Sequence, residues 1–316
     1  MMVEDFFRAL HDELGFEPRG VILLFLLGSM GAALGSYVAA TAYRLRSDNT
    51  LGGHRSRCES CARVLRCWEN IPVVSYTLLG GRCATCKAPI WPGSFVVELA
   101  FTFALPLILL ALGPGIEAAR AAAALPILVI GSLVDLHERR IPLAVTRALL
   151  LAGLLLADPI GLPEIGIQAA AAIGLTIALI GVEGRAAKPF RVAAVVLTPL
   201  ALLATPTFQI HCVAAVVAYA ALAALDWVYT RARKIEVAIG GGDIRLAAGI
   251  AAFTGPLGIA PAIFLAAALG SVVGIGGIAL GRGSLKAQIP FGPFLATGAF
   301  TVLVAGPGLW GMLPGG

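Results

Sequence analysis

The sequence predicts an all-α, polytopic transmembrane helix bundle of about 8–10 spans with one small cytoplasmic Cys-rich, zinc-type loop. Three observations predict it. The 316 residues are 59% hydrophobic and 13% charged, with mean hydropathy +0.90. A soluble domain carries about a quarter charged residues, so this chain cannot cover itself with polar surface. Ten apolar segments recur along the chain, and the basic residues cluster in short loops between them. Four of the six cysteines form two C-x-x-C pairs inside the one sizeable polar stretch. The net charge of +5 is not a nucleic-acid signal, because the basic residues cluster in these short loops.

Residues 1–20 read as an acidic tail, with Glu4, Asp5, Asp12, Glu13 and Glu17 against Arg8 and Arg19. No cleavable signal peptide is expected there. The first transmembrane helix covers 21–43. Its Gly28, Ser29, Gly31, Gly35 and Ser36 form a small-residue face suited to close helix contact. Residues 44–92 are the Cys loop, with a basic excess (Arg44, Arg46, Arg55, Arg57, Arg63, Arg66, Arg82 and Lys87) that places it in the cytoplasm.

Residues 93–316 are the remaining transmembrane core. Apolar segments are expected at about 93–112, 116–135, 142–157, 166–182, 191–206, 210–229, 244–256, 258–281 and 290–313. Several fall short of the ~20 residues of a straight span. If the Cys loop is cytoplasmic, so are loops carrying Arg139 and Arg140; Arg185 and Lys188; Arg231, Arg233 and Lys234; and Arg282 and Lys286. The opposite loops carry Asp158 and Glu164, then an uncharged turn at 206–210. Both termini then lie outside.

The pairs Cys58-x2-Cys61 and Cys83-x2-Cys86 stand 21 residues apart. Four thiolates in that pattern make a tetrahedral site that suits zinc. Such a site has no open position for water, so its metal folds the loop. Cys67 and Cys212 read as bystanders. No histidine pair has metalloprotease spacing, and no serine sits in a nucleophile-elbow context.

Asp135 ends one apolar segment, in V-D-L-H-E-R-R-I-P, and Asp243 opens another, in I-G-G-G-D-I-R-L. Both fall at the cytoplasmic boundary. Two carboxylates brought close cannot both ionise comfortably, so the ionised one can take a proton from water while the neutral one polarises a carbonyl. The plainer alternative is that Asp243 caps its helix and Asp135 pairs with Arg139 or Arg140. Gly240, Gly241 and Gly242 allow unusual backbone angles and close approach of another chain. Glu98, inside an apolar segment, is a further candidate, because intramembrane acids are costly. Asp226 reads as a structural pair of Arg231 or Arg233.

These stretches resemble the type IV prepilin peptidases, membrane aspartic proteases of the G-x-G-D type. The match runs in order. It takes in G-S-Y-V-A-A-T-A-Y-R-L at 35–45, C-E-S-C at 58–61, W-E-N-I-P-V-V-S-Y at 68–76 and G-R-C-A-T-C at 81–86. V-E-L-A at 97–100, D-L-H-E-R-R-I-P at 135–142, G-G-G-D-I-R-L-A-A at 240–248 and I-P-F-G-P-F-L-A at 289–296 follow.

The resemblance implies cleavage of the leader of prepilin or pseudopilin substrates after a glycine, on the cytoplasmic face of the bacterial inner membrane. S-adenosylmethionine-dependent methylation of the new N-terminus is implied to follow. It makes Asp135 and Asp243 the catalytic pair, supported by Gly240, Gly242, Arg245 and Glu98, with structural zinc on the four loop cysteines. The rival readings are a non-proteolytic scaffold and an ion-coupled transporter using the intramembrane acids. Leu143 follows Pro142 where the family often has an acid, and Arg245 stands where Lys is common. The 108 residues from Asp135 to Asp243 are more than the family pattern leads one to expect, which points to an additional helical hairpin at 191–228.

Overall fold

In the computed structural model of the chain, the described residues are 18–47, 55–158, 162–181, 193–234, 239–281 and 289–306. The expected acidic tail, apart from its last residues, and the basic clusters at Arg185 with Lys188 and Arg282 with Lys286 lie outside them. The described residues are helical, turn or loop, with two isolated antiparallel bridges, Arg57 to Val64 and Arg82 to Pro89. They fall into two compact units divided at Ala118.

In the first unit, α1 (Pro18–Ser47) packs on α2 (Pro92–Leu112). Pro92 starts α2 where its missing N–H costs nothing, and Gly113 at φ 69° follows its end. The contact uses the small-residue face. A Cβ on Gly31 would lie 2.1 Å from the Phe101 carbonyl oxygen, and one on Gly35 would lie 2.8 Å from Glu98 Cα. The two backbones therefore touch, as small residues permit in lipid. Between the helices the loop folds into two cysteine knuckles, a 3-10 turn (Cys67–Asn70) and a short helix (Val74–Leu78).

The second unit holds α3 (Ile116–Glu138), α4 (Leu143–Leu155), α5 (Leu162–Ile180), a 3-10 segment (Thr198–Leu203), α6 (Pro206–Arg233), α7 (Gly241–Ala279) and α8 (Gly292–Ala305). Leu150 and Leu154 of α4, Leu175 of α5 and Phe208 and Ala215 of α6 share one buried cluster. α3 and α4 are antiparallel, for Arg120 near the start of α3 donates to the Leu156 and Ala157 carbonyls after α4.

Among the described residues, five helices are long and apolar enough to cross a membrane: α1, α2, α3, α6 and α7. Four shorter apolar helices accompany them, and each of the ten expected segments corresponds to a helix or to an arm of one. The expected pair at 244–256 and 258–281 is joined without a loop, as α7. Gly255, at φ 67° and ψ −173°, breaks that helix. A side chain is strained at that φ, so glycine makes the turn possible. The arm before the break (residues 241–254) runs beside α4, with Gly242 against Ile141, Gly249 against Leu149 and Phe253 against Gly153. The arm after it (256–279) packs antiparallel to α8, with Gly258 against Val302, Ala262 against Gly298 and Gly270 against Phe294. The first arm leads away from Asp243 and the second leads back.

Candidate active site and metal centre

One end of the second unit gathers the end of α3, the start of α4, the end of α6 and the starts of α7 and α8. Asp135, in the last turn of α3, is 5% exposed and accepts the backbone N–H of Gly292 at 2.9 Å. That N–H belongs to the first turn of α8, where backbone donors lack helical partners and the dipole favours an anion. Asp243 lies in the first turn of α7, half-buried. It is close enough to Asp135 for the two charges to interact. The sequence's two singled-out acids, 108 residues apart, thus come to the same end of the unit.

The plainer alternatives for Asp135 and Asp243 are not what the structure displays. The N-cap of α7 is Gly240, with no side-chain cap bond, and the Asp243 N–H donates to the Gly240 carbonyl at 2.9 Å. The Asp135 carboxylate accepts from Gly292, while Arg140 lies 3.9 Å from Glu138. Asp226 accepts the Ile239 N–H at 2.8 Å, which ties the end of α6 to the chain entering α7.

The glycines before Asp243 matter for room. None of them is at positive φ. A Cβ on Gly240 would lie 2.8 Å from Asp243 Oδ2, and one on Gly242 would lie 3.1 Å from Ile141 Cβ. At Gly241 the space is open. Arg245 is two residues past Asp243, which on a helix is about 200° around the axis. It lines an apolar cavity of about 910 Å³ with Leu175, Cys212, Val216 and Tyr219, so it faces away from the acid pair.

Glu98 belongs to the first unit. Its carboxylate accepts the Val73 N–H at 2.8 Å. Val73 sits at φ 63°, an unusual region for a β-branched residue. The acid inside α2 therefore holds a strained turn of the cysteine loop in place.

The sulfurs of Cys58, Cys61, Cys83 and Cys86 all lie within 4.8 Å of one another, and Cys58 and Cys86 are 3.7 Å apart. Four sulfurs at ~2.3 Å from a zinc stand ~3.8 Å from each other, so the set fits a tetrahedral ion. The knuckles repeat one design. Cys58 N–H donates to Arg63 and Cys83 N–H donates to Ala88, each at 2.9 Å. Ala62 and Lys87, next after the second cysteine of each pair, are at φ 56° and 58°. Backbone N–H groups of Cys86 and Thr85 pull the Cys83 thiol down to about 6. The Cys61 N–H lowers Cys58 as well. Arg63 reaches Cys83 Sγ at 4.0 Å and is gripped by Glu69 through two bonds of 2.8 and 2.9 Å. Cys67 is exposed and Cys212 is buried in α6, both outside the cluster.

Two contacts described above had weak signals in the sequence. Gly292 was legible only as the start of a span. Glu69 gave no signal by type, though it stands beside Trp68 in one of the matched motifs.

A family model described as the Bacterial Peptidase A24 N-terminal domain matches residues 29–112. A protein of Burkholderia pseudomallei (strain 1026b) named prepilin leader peptidase/N-methyltransferase is 30% identical over 323 residues, covering 94% of this chain and 90% of its own. Relatives with the same name in Myxococcus xanthus (strain DK1622) and Pseudomonas putida are 33% and 27% identical. They cover 46% and 81% of this chain, and 43% and 72% of their own. No solved structure matches.

Proposed function

The chain belongs to the prepilin leader peptidase/N-methyltransferase family, and on that premise we propose that it is a membrane aspartic endopeptidase whose catalytic pair is Asp135 and Asp243. The observation that supports it is that both come to one end of the second unit, Asp243 in the first turn of α7 and the Asp135 carboxylate on the first N–H of α8. The pair shares one proton. The ionised carboxylate takes a proton from water as the water oxygen attacks the Gly–X carbonyl, and the neutral one donates to the carbonyl oxygen. The tetrahedral species collapses as the amine leaves with a proton from the pair. Gly292 orients Asp135, and the small residues at 240 and 242 keep the approach to Asp243 clear.

The substrates are prepilins or pseudopilins, cut after the leader glycine, and the new N-terminus is then methylated from S-adenosylmethionine. The end of the unit that holds the acids also carries Arg139, Arg140, Arg231, Arg233 and Lys234. By the positive-inside rule that end faces the cytoplasm of a bacterial inner membrane. Zinc on the four cysteines would be structural, since all four positions are thiolates. The test is co-expression with a prepilin. Wild type shortens it, and Asp135→Ala and Asp243→Ala do not. Shortening by both variants excludes the pair. Transfer of a labelled methyl group to the cut product tests the second step.

A further inference from the structure

The Ala252 carbonyl lacks the usual donor four residues further along its own helix. Residue 256 would supply one, but it is Pro256, which has no N–H. Inside a membrane no water takes its place, so such a group needs a protein partner. His211 of α6 is that partner. Its Nδ1 lies 2.7 Å from the Ala252 oxygen, and the residue is 8% exposed. A carbonyl only accepts, so Nδ1 carries the proton. The same ring lies against the break itself, for a Cβ on Gly255 would be 3.4 Å from its Cε1.

We propose that His211 is a positioning residue that holds the Asp243 arm of α7. The arm is short and the helix does not continue straight beyond Gly255, so only side contacts fix its lower end. On one side α4 grips it, where a Cβ on Gly153 would lie 2.8 Å from the Phe253 ring. On the other side His211 is the polar tie. Asp243 is nine residues above Ala252, about 13.5 Å along the axis, so a shift at the tie moves the acid. α6 falls largely within the stretch expected to be additional to the family pattern, and this gives that stretch work in the site. The effect on turnover rests on the aspartic-protease reading, whereas the placement of the arm does not.

The test has two readouts on the full chain in membranes. A Cys pair at Ile141 and Gly242, whose Cβ atoms would lie 3.1 Å apart, reports the arm by disulfide formation. A pair at Gly258 and Val302 reports the second arm, and mapping of the linked peptides separates both from native thiols. His211→Leu slows the first pair about fivefold or more and leaves the second unchanged. His211→Asn, which keeps a donor near the Nδ1 position, restores it. With a cleavable substrate, His211→Leu lowers kcat about tenfold while KM stays within about twofold, as misplacement of a reacting group does. No change in the first pair, equal slowing of both pairs, or no rescue by Asn overturns the proposal. If the Asp135 and Asp243 variants still cut, the protease reading falls, and the cross-links still decide for His211.

Discussion

Gly292 donates its backbone N–H to Asp135 across 2.9 Å, although 157 residues separate them. A Cβ at Gly292 would stand 2.8 Å from Asp135 Oδ2. The bond exists because the residue at 292 has no side chain.

Gly292→Ala should therefore push the carboxylate aside. The expected loss is about tenfold to a hundredfold in kcat, the scale of an ångström-sized misplacement of a reacting group. Cleavage kinetics on a leader-bearing substrate check it. Thermal unfolding should move little, since Ala suits a helix start better than many residues. Unchanged kcat would mean that the contact does not orient Asp135.

Glu98→Ala removes the acceptor from Val73, whose φ of 63° is then unsupported. A bond to a charged acceptor contributes about 1.5–3 kcal/mol, and strain at such a position costs about 1–3 kcal/mol. The variant should open the loop around 68–80 to limited proteolysis. Val73→Gly, which relieves the strain, should restore much of the protection. If it does not, the two residues are not coupled.

Purified reduced protein should contain about one zinc per chain. Serine at Cys58, Cys61, Cys83 or Cys86 should lower that content sharply, and serine at Cys67 or Cys212 should not, because neither lies in the cluster. Metal analysis decides. Full zinc content after loss of any one cluster cysteine would contradict a four-thiolate site.

Glu69 also predicts an acid transition. Arg63 and the Arg66 N–H hold its carboxyl down to about 2, from an ordinary value near ~4.3. Because the folded value is depressed, its stabilisation is present above ~4.3 and is lost as pH falls through about 2. Amide exchange at Arg66, whose N–H lies 2.7 Å from Glu69, should quicken over that window. Glu69→Gln should abolish the pH dependence, and an unchanged profile in that variant would sever the link.

The helices were legible because apolar runs of this length have no other stable use, and the cysteine cluster was legible because ligand spacing is a local property. Asp135 and Asp243 were visible as costly acids at matching ends of apolar segments. What sequence distance hides is direction and partner. Arg245 reads as a neighbour of Asp243, yet two residues along a helix point to opposite sides, and it lines the apolar cavity instead. Glu98 reads as a costly acid inside an apolar segment, and the sequence does not show that its bond goes to Val73, 25 residues earlier. The break in α7 had a signal in Gly255-Pro256, and proline there implies an orphan carbonyl at Ala252. Nothing in the sequence names His211 as the residue that answers it, because a lone histidine in an apolar stretch carries no pattern.

Single-turnover cleavage by purified protein decides whether Asp135 and Asp243 act as one catalytic pair. With a leader-bearing substrate in detergent, Asp135→Asn and Asp243→Asn should each reduce the rate by about a thousandfold or more, and the double variant should be scarcely worse than either. The zinc content of all three should stay at the wild-type level. Cleavage at near the wild-type rate by either single variant would rule out a shared catalytic pair.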